Sequence, residues 1–318
     1  MSNESNVPKP APAATFRALL ELLRVPNLFT AAADVAMGVL FVTPLRDTRD
    51  VVALAMLVGA SCLLYAAGVV LNDVFDAPRD TRQRPERPIP SGRMPLGLAR
   101  ALGWFLLLGG VTLAWIGAFV VGQWGPGLVA LPLAGCIVLY NATLKATPLG
   151  PVAMGACRAL NVLLGMSVLT VPWQFHHGLV AGAIGVYIAG ITWFAQTEAE
   201  RSRRLPLALG TVVMLAGIAL LALLPMAAPE ELIRILQLQP QRWYLFLGVL
   251  GLLIGWRFVA AVAEPSPEMV QAAVQHGIRS LILLDAAVAF SVRDIGAAVA
   301  ILLLLLPATL ASRFVRMT

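Results

Sequence analysis

Four oxygen-bearing side chains follow the second long apolar run of the chain. Asn72, Asp73, Asp76 and Asp80 stand at positions i, i+1, i+4 and i+8, and a helix with about 100° per residue keeps them within roughly a 100° sector. Oxygen ligands on one face can hold Mg²⁺ and leave coordination positions for phosphate oxygens, because Mg²⁺ binds few protein groups. The spacing therefore indicates either a site for Mg²⁺ and a phosphorylated ligand or a solvated end of a helix.

A basic and proline-rich segment follows these acids. Its arginines are Arg79, Arg82, Arg84, Arg87, Arg93 and Arg100. Guanidinium groups bind phosphate oxygens through paired hydrogen bonds, so arginines beside a metal-bound diphosphate can bind it as well. Part of this charge also sets the orientation of the chain in a membrane. We expect the helix that carries the acids to end at Pro78, because proline lacks an N–H group and restricts the residue before it.

The composition indicates a protein with many membrane-spanning helices. Of its 318 residues, 59% are hydrophobic and 13% are charged, against about 25% charged in soluble domains. Apolar runs long enough to cross a bilayer lie at 27–44, 51–72, 101–121, 126–141, 151–171, 178–197, 207–225, 243–263, 275–292 and 295–312. The predicted fold is an all-α, polytopic transmembrane bundle of nine to ten spans, with a disordered tail at 1–14 and a single domain at 15–318.

Lysine and arginine mark the loops that we expect on the cytoplasmic side. If the amino terminus is cytoplasmic, the basic segments at 79–100 and 201–204 and the residues Lys145 and Arg158 all fall on that side, as the positive-inside rule requires. The net charge of +6 therefore belongs to particular loops and does not indicate binding of nucleic acid. This orientation places the acidic cluster at the cytoplasmic face of the membrane.

Features of the first half of the chain recur in the second half. Arg24 and Asn27 open the first span, and Arg158 and Asn161 open the fifth. The second span ends in the acids described above, and the sixth ends in Gln196, Glu198 and Glu200. This order predicts two diverged four-helix halves around a central cavity, with both acidic clusters at one membrane face. On a continuous helix Gln196 and Glu200 share a side, whereas Glu198 points about 160° away.

Two spans carry ionisable residues within their apolar runs. Asp34 lies at mid-depth in the first span, where a charge is costly enough to indicate either a functional group or a hydrogen bond to a neighbouring helix. The ninth span contains His276, Arg279 and Asp285.

Taken together, these motifs resemble the UbiA superfamily of intramembrane prenyltransferases, and their overall look is closest to the UbiA-like EboC subgroup. The resemblance rests on Arg24-x-x-Asn27, on the acidic motif from Asn72 to Asp80, on the loop from Arg87 to Gly92, and on the stretch from Tyr140 to Lys145. It implies a helical bundle around a central cavity, Mg²⁺ bridging a polyprenyl diphosphate, and transfer of the prenyl group to an aromatic, quinone-like or other lipophilic acceptor.

The resemblance also assigns roles to residues of this chain. It implies that the metal ligands are Asp73, Asp76, Asp80, Glu198 and Glu200, and that the first three act in catalysis together with Lys145. It implies that the diphosphate is bound by Arg24, Asn27, Asn72, Arg87, Tyr140, Arg158 and Asn161. Family members commonly have aspartates in the second motif, so Gln196 places the second Mg²⁺ site in doubt.

The leading hypothesis is an enzyme that ionises a prenyl diphosphate inside the membrane and passes the allylic cation to an acceptor. Three aromatic side chains are candidates to face that cation: Phe75, Trp193 and Phe194. The alternatives are a non-catalytic component that binds or transports prenyl lipids and, from the internal repeat alone, a secondary transporter. We expect the protein to lie in a bacterial inner membrane, in contact with membrane lipid and with its site facing the cytoplasm.

Overall fold

The computed structural model describes residues 12–196, 203–229, 232 and 240–314. In chain order its helices are α1 (Pro12–Leu23), α2 (Val25–Val42), α3 (Thr48–Gln83), α4 (Leu96–Val121), α5 (Gly125–Ala142), α6 (Gly150–Met166), α7 (Phe175–Ala195), α8 (Arg204–Leu221), α9 (Leu224–Ala227), α10 (Pro240–Ala263), α11 (Pro267–Val292), α12 (Ile295–Leu302) and α13 (Leu305–Phe314). A 3₁₀ turn at Leu144–Ala146 joins α5 to α6. Helix α1 begins within the segment that was predicted to be a tail, whose first part lies outside the described residues.

The prediction of an all-α, polytopic membrane bundle is confirmed. Within the described ranges, nine helical segments are long and apolar enough to cross a membrane, namely Arg17–Val42, Thr48–Gln83, Leu96–Val121, Gly125–Ala142, Phe175–Ala195, Arg204–Leu221, Pro240–Ala263, Pro267–Val292 and Ile295–Ser312. The fifth predicted run, 151–171, forms α6, a shorter apolar helix of 17 residues. The protein is therefore an integral membrane protein built from helices.

The chain changes direction at Arg24, between α1 and α2. Arg24 has φ 46° and ψ 49°, in the left-handed region that non-glycine residues seldom occupy. Pro26 follows in the first turn of α2, where a proline costs no helical hydrogen bond and is already set to the helical φ. The bend begins a new helix directly after Arg24 and brings the Arg24 side chain to α3.

The expectation that α3 ends at Pro78 is wrong. The helix continues to Gln83, and the Arg84 N–H donates to the Asp80 carbonyl at 2.8 Å beyond it. A proline removes only one N–H donor from a helix, and ion pairs on both sides of Pro78 hold the flanking residues Asp76 and Asp80 in place. Because the helix is continuous, the predicted helical spacing of the acids applies to the whole motif.

Helices α2 and α6 join the two halves of the bundle. One buried cluster of apolar side chains combines α2 and α6 with α3, α4 and α5, and another combines α2 and α6 with α7, α8, α10 and α11. The backbones of α2 and α6 pack closely, since a Cβ atom at Gly38 would lie 2.6 Å from the Val162 carbonyl oxygen. The first helix of each predicted half thus meets its counterpart at the centre of the molecule.

Candidate active site

Three carboxylates of α3 lie buried at one end of the bundle and face basic side chains. Arg87 donates to Asp80 Oδ2 at 2.7 Å and to Asp73 Oδ1 at 3.5 Å. Arg24, at the bend before α2, donates to the same Asp73 oxygen at 3.2 Å. Two arginines that are far apart in sequence are thus joined through one carboxylate of α3.

The third carboxylate of this cluster pairs with a lysine. Lys145 stands in the 3₁₀ turn after α5, and its Nζ lies 2.7 Å from Asp76 Oδ1. The contact is an ion pair whose angles fall outside those of a regular hydrogen bond. Asp76 and Lys145, which were predicted to act at one site, therefore lie together.

The loop after α3 is folded so that Arg87 points inward. The Ser91 hydroxyl donates to the Arg87 carbonyl at 2.7 Å, and the Met94 N–H donates to the Pro88 carbonyl at 2.9 Å. Gly92 has φ 74°, which glycine adopts without steric cost. Ile89 and Met94 are buried in a small apolar cluster with side chains of α1, α3 and α4. The proline-rich segment is therefore an ordered turn that holds one of its arginines against the acids.

A cavity of about 250 Å³ adjoins the cluster. Its polar wall is formed by residues from five helices and the bend at Arg24: Arg24, Asn27, Tyr65, Asn72, Tyr140, Asn141, Arg158, Asn161 and Thr192. The rest of the wall is mainly apolar, with residues such as Leu64, Val69, Leu133 and Ile188. The structure thus brings together six of the residues that were predicted to bind diphosphate, in one space that also suits an apolar chain.

The aromatic side chains of the cavity differ from those expected. Phe75 is exposed, and Phe194 is fully buried against Phe258, with ring centroids 4.8 Å apart. Tyr65 and Tyr140 line the cavity instead. Phe75 and Phe194 lie on α3 and α7 as predicted, but helical position alone does not show which aromatic ring faces the interior space.

Asn141 is a site residue that the motif analysis did not single out. It accepts a hydrogen bond at its Oδ1 from the Asn72 amide at 2.9 Å, and its own amide donates to the Gly68 carbonyl at 3.0 Å. It therefore fixes the orientation of Asn72. A carboxamide within the apolar run of α5 was the signal that could have identified it.

The far wall of the cavity holds a second set of polar contacts. Arg158 donates to Asp34 Oδ2 at 2.7 Å and to the Thr30 hydroxyl at 2.8 Å, and its guanidinium lies 5.2 Å from the centre of the Tyr65 ring. Asn161 donates to Asp34 Oδ2 at 3.0 Å. Two roles were expected of Asp34, and one of them, hydrogen bonding to a neighbouring helix, is thus observed.

The acids of α3 have the chemistry of a Mg²⁺ site but are not a preformed cage. Among the described residues, no group of three or more His, Cys, Asp or Glu side chains is close enough to hold a metal ion. One oxygen of Asp80, Oδ1, is buried without a hydrogen-bond partner, and Mg²⁺ needs only one or two carboxylates beside phosphate and water. Asp73, Asp76 and Asp80 therefore fit a metal that arrives with a phosphorylated ligand.

The second acidic motif cannot be placed in the same way. Glu198 and Glu200 lie outside the described residues. Gln196 directly follows α7 and is exposed. The proposed metal ligands in this motif stay a prediction.

Fold and site together define an integral membrane protein with an internal cavity whose wall combines two arginines, neutral polar side chains and apolar side chains. Residues 29–276 match the model of the UbiA prenyltransferase family. The chain belongs to this family, which confirms the predicted membership and the predicted class of enzyme, a prenyltransferase.

Several relatives carry one name. A digeranylgeranylglyceryl phosphate synthase of Methanopyrus kandleri is 32% identical over 222 residues, which cover 66% of this chain and 78% of the relative. A synthase of the same name from Methanobrevibacter smithii is 29% identical over 163 residues, which cover 51% of this chain and 53% of the relative. The match to the second relative therefore spans about half of its length.

Solved structures show the same fold. A structure described as a digeranylgeranylglyceryl phosphate synthase in membranes has a TM-score of 0.61 at 21% identity, over 89% of this chain and 99% of that one. A UbiA homologue from Archaeoglobus fulgidus bound to GPP and Mg²⁺ has a TM-score of 0.55 at 14% identity, over 83% of this chain and 99% of that one. At these identities the likeness concerns the arrangement of the helices.

Proposed function

We propose that this enzyme transfers a prenyl group from a polyprenyl diphosphate to a hydroxyl group of a glyceryl phosphate lipid, with Mg²⁺ at the diphosphate. The observation that carries the proposal is the set of buried ion pairs at the mouth of an otherwise mainly apolar cavity. The name shared by the relatives supports a glyceryl phosphate lipid as acceptor, in place of the aromatic or quinone-like acceptors first considered. We further propose that residues 15–318 act as one domain.

The donor's diphosphate would lie against α3. Asp73, Asp76 and Asp80 would hold the metal, with Glu198 and Glu200 as further proposed ligands. When bound, Mg²⁺ would supply positive charge that offsets the negative charge of the diphosphate leaving group. Asn72 and Asn27 would donate amide hydrogen bonds, and Tyr140 a hydroxyl hydrogen bond, to oxygens of the same group.

The basic residues of the mouth would change partners when the donor binds. Arg24, Arg87 and Lys145 balance the three carboxylates of α3 in the structure. A phosphate oxygen is an equally good acceptor for a guanidinium, which can bind it through two parallel hydrogen bonds. These cations would therefore move from carboxylate to diphosphate and stabilise the charge that develops on it as the C–O bond breaks.

The cavity would protect the allylic cation from water. The apolar part of its lining would hold the prenyl chain and offers no hydrogen-bond partner to a water molecule there. The π faces of Tyr65 and Tyr140 can stabilise a nearby positive charge. The acceptor hydroxyl then attacks the carbon, and its proton can leave with the diphosphate.

The orientation in the membrane and the subgroup are narrower proposals. We propose that the mouth of the cavity faces the cytoplasm, because the basic loops lie at that end, and that the membrane is a bacterial cell membrane, as first expected. The resemblance to the EboC subgroup stays a prediction, whereas the relatives described above carry the synthase name.

The test is an assay of purified protein in lipid nanodiscs with labelled geranylgeranyl diphosphate and Mg²⁺. We expect a labelled ether product with geranylgeranylglyceryl phosphate and none with 4-hydroxybenzoate. Product with the aromatic acceptor alone would overturn the assignment of the acceptor. Binding of the diphosphate that depends on Mg²⁺, without product from any acceptor, would favour the non-catalytic alternative.

A further inference from the structure

A second charged cluster lies in the interior, where α2, α6 and α11 meet. It contains Asp34 of α2, Arg158 of α6 and Asp285 of α11. Both aspartates have 0% of their surface exposed, and Arg158 is buried as well. Asp34 and Arg158 form an ion pair, and the carboxyl groups of Asp34 and Asp285 lie within hydrogen-bonding reach of each other.

The charges of this cluster do not balance if both carboxyl groups are ionised. Two carboxylates and one guanidinium leave one negative charge in the membrane interior. An uncompensated charge at such a place is strongly unfavourable, so it is expected to be neutralised. A proton or a cation must supply one positive charge.

The hydrogen bonds show where the missing donor is needed. Asp34 Oδ2 accepts from both Arg158 and Asn161, while Asp34 Oδ1 and both oxygens of Asp285 have no partner among the described residues. Tyr187, the other titratable side chain close to Asp285, donates its hydroxyl proton to the Gly277 carbonyl at 2.7 Å. These three side chains therefore donate elsewhere than to Asp34 Oδ1 or Asp285, and two ionised carboxyl groups have no hydrogen to share with each other.

We infer that Asp285 is protonated and donates a hydrogen bond to Asp34 Oδ1, so that Asp34, Arg158 and Asp285 form a neutral, proton-holding cluster behind the cavity wall. One proton satisfies an oxygen of each aspartate and brings the cluster to zero net charge. Asp34 can then remain ionised and keep Arg158 in place against Tyr65. Asp285 is in this sense a positioning residue, because it acts on the cavity through Asp34 and Arg158.

Neutrality of this wall matters for the reaction under the proposed function. An arginine without a carboxylate would oppose an allylic cation formed in the same cavity, whereas an arginine paired with Asp34 adds little field. The proton on Asp285 lets that pairing persist without an excess negative charge. The inference about the proton stands on burial and hydrogen bonding, and this consequence alone rests on the proposed function.

Infrared spectroscopy tests the proton directly. Wild-type protein with isotope-labelled aspartate should show the isotope-shifted C=O stretch of a protonated carboxylic acid at neutral pH, and D285N should lack it. The matched control E264Q alters an exposed carboxylate at the end of α10 and should leave the band unchanged. Absence of the band from the wild type, or its persistence in D285N, would overturn the inference.

Thermal unfolding distinguishes the two aspartates and needs no activity. D285N keeps a neutral group that can donate to Asp34, so its unfolding midpoint should stay within about 2 °C of the wild type. D34N removes the partner of Arg158 and should lower the midpoint by several degrees. An equal fall of the unfolding midpoint in D285N and D34N would show that Asp285 is ionised. Stabilisation of the wild type but not of D285N by Na⁺ or K⁺ at constant ionic strength would show a bound cation in place of the proton.

Kinetics test the positioning role. D285N should keep kcat and the donor KM within about twofold of the wild type, whereas D285L, which cannot donate a hydrogen bond, should lower kcat. If D285L retains its fold and its full kcat, Asp285 does not position the cavity wall. If neither the wild type nor D285N forms product, the proposed function fails while the infrared result still decides the proton.

Discussion

Replacement of Arg87 by glutamine separates its two roles, as partner of the acids and as ligand of the diphosphate. In the structure its Nη1 atom contacts Asp80 at 2.7 Å and Asp73 at 3.5 Å. Loss of this cation leaves both buried carboxylates with less positive charge nearby. The same loss removes a donor from the site that we propose for the phosphate oxygens.

The two losses should change the affinity for the donor and the affinity for Mg²⁺ in opposite directions. A hydrogen bond to a charged group contributes about 1.5–3 kcal/mol, so the donor KM of R87Q should rise by about 10- to 150-fold. Binding of Mg²⁺ should become tighter, because the carboxylates are no longer neutralised by Arg87. In the free protein, a buried carboxylate without its partner should lower the stability by about 3–5 kcal/mol.

The assay measures initial rates in nanodiscs with donor and Mg²⁺ varied independently, together with thermal unfolding without either ligand. R93Q is the matched control, since Arg93 stands in the same loop but pairs with Glu21 at 2.7 Å. The control should keep its donor KM and its dependence on Mg²⁺ within about twofold of the wild type.

Two outcomes would refute this reasoning. If R87Q needs more Mg²⁺ than the wild type, Arg87 supports the metal site and does not compete with it. If the donor KM is unchanged while stability falls, Arg87 serves the structure of the loop and does not bind diphosphate.

Three further results are expected. K145M should raise the donor KM about tenfold, since about 1.5 kcal/mol is lost with one charge-assisted contact, and equilibrium binding of labelled diphosphate checks this; unchanged binding would remove Lys145 from the site. Chelation of Mg²⁺ by EDTA should abolish turnover yet shift the unfolding midpoint by less than about 2 °C, because the acids of α3 are paired with basic side chains without metal. A large drop of the midpoint would contradict that account. G38V should lower stability by about 1–3 kcal/mol or more through its contact with α6. G135V should change stability little, because a Cβ atom at Gly135 would meet no other atom within 4 Å. Equal effects of the two variants in thermal unfolding would show that α2 and α6 do not pack closely.

Helical spacing predicted much of the site because the site is built along helices. Asp73, Asp76 and Asp80 do share one side of a continuous helix, and all three are buried there. The apolar runs likewise predicted the spans, although α3 continues to Gln83 where its run ends at 72, and α11 begins at Pro267 where its run starts at 275. In a membrane nearly every backbone group must be paired within its own segment, so hydropathy and length determine the helices strongly.

Contacts between helices could not be predicted in this way. Nothing in the sequence pairs Arg158 with Asp34, which stands 124 positions earlier, and the choice of Tyr65 for the cavity depends on how α3 is rotated. The wrong prediction at Pro78 has the same origin, because ion pairs from a loop and from another turn hold the helix across the proline. Side-chain partners from distant segments decide these cases, and no local pattern contains them.

Charges at the two ends of the cavity differ in how freely they can exchange partners. At the mouth, Arg24 keeps 31% of its side chain exposed, and Asp80, which pairs with Arg87, has one oxygen without a hydrogen-bond partner. At the far wall, Asp34 is fully buried and Arg158 is held by two hydrogen bonds. A buried pair loses several kcal/mol when one partner is removed without replacement. At the mouth the proposed diphosphate and Mg²⁺ would replace the partners, whereas no ligand is proposed to replace those of the far pair, which should therefore stay intact. Ligand exchange is therefore expected along α3, and the contact of α2 with α6 is expected to remain unchanged through the catalytic cycle.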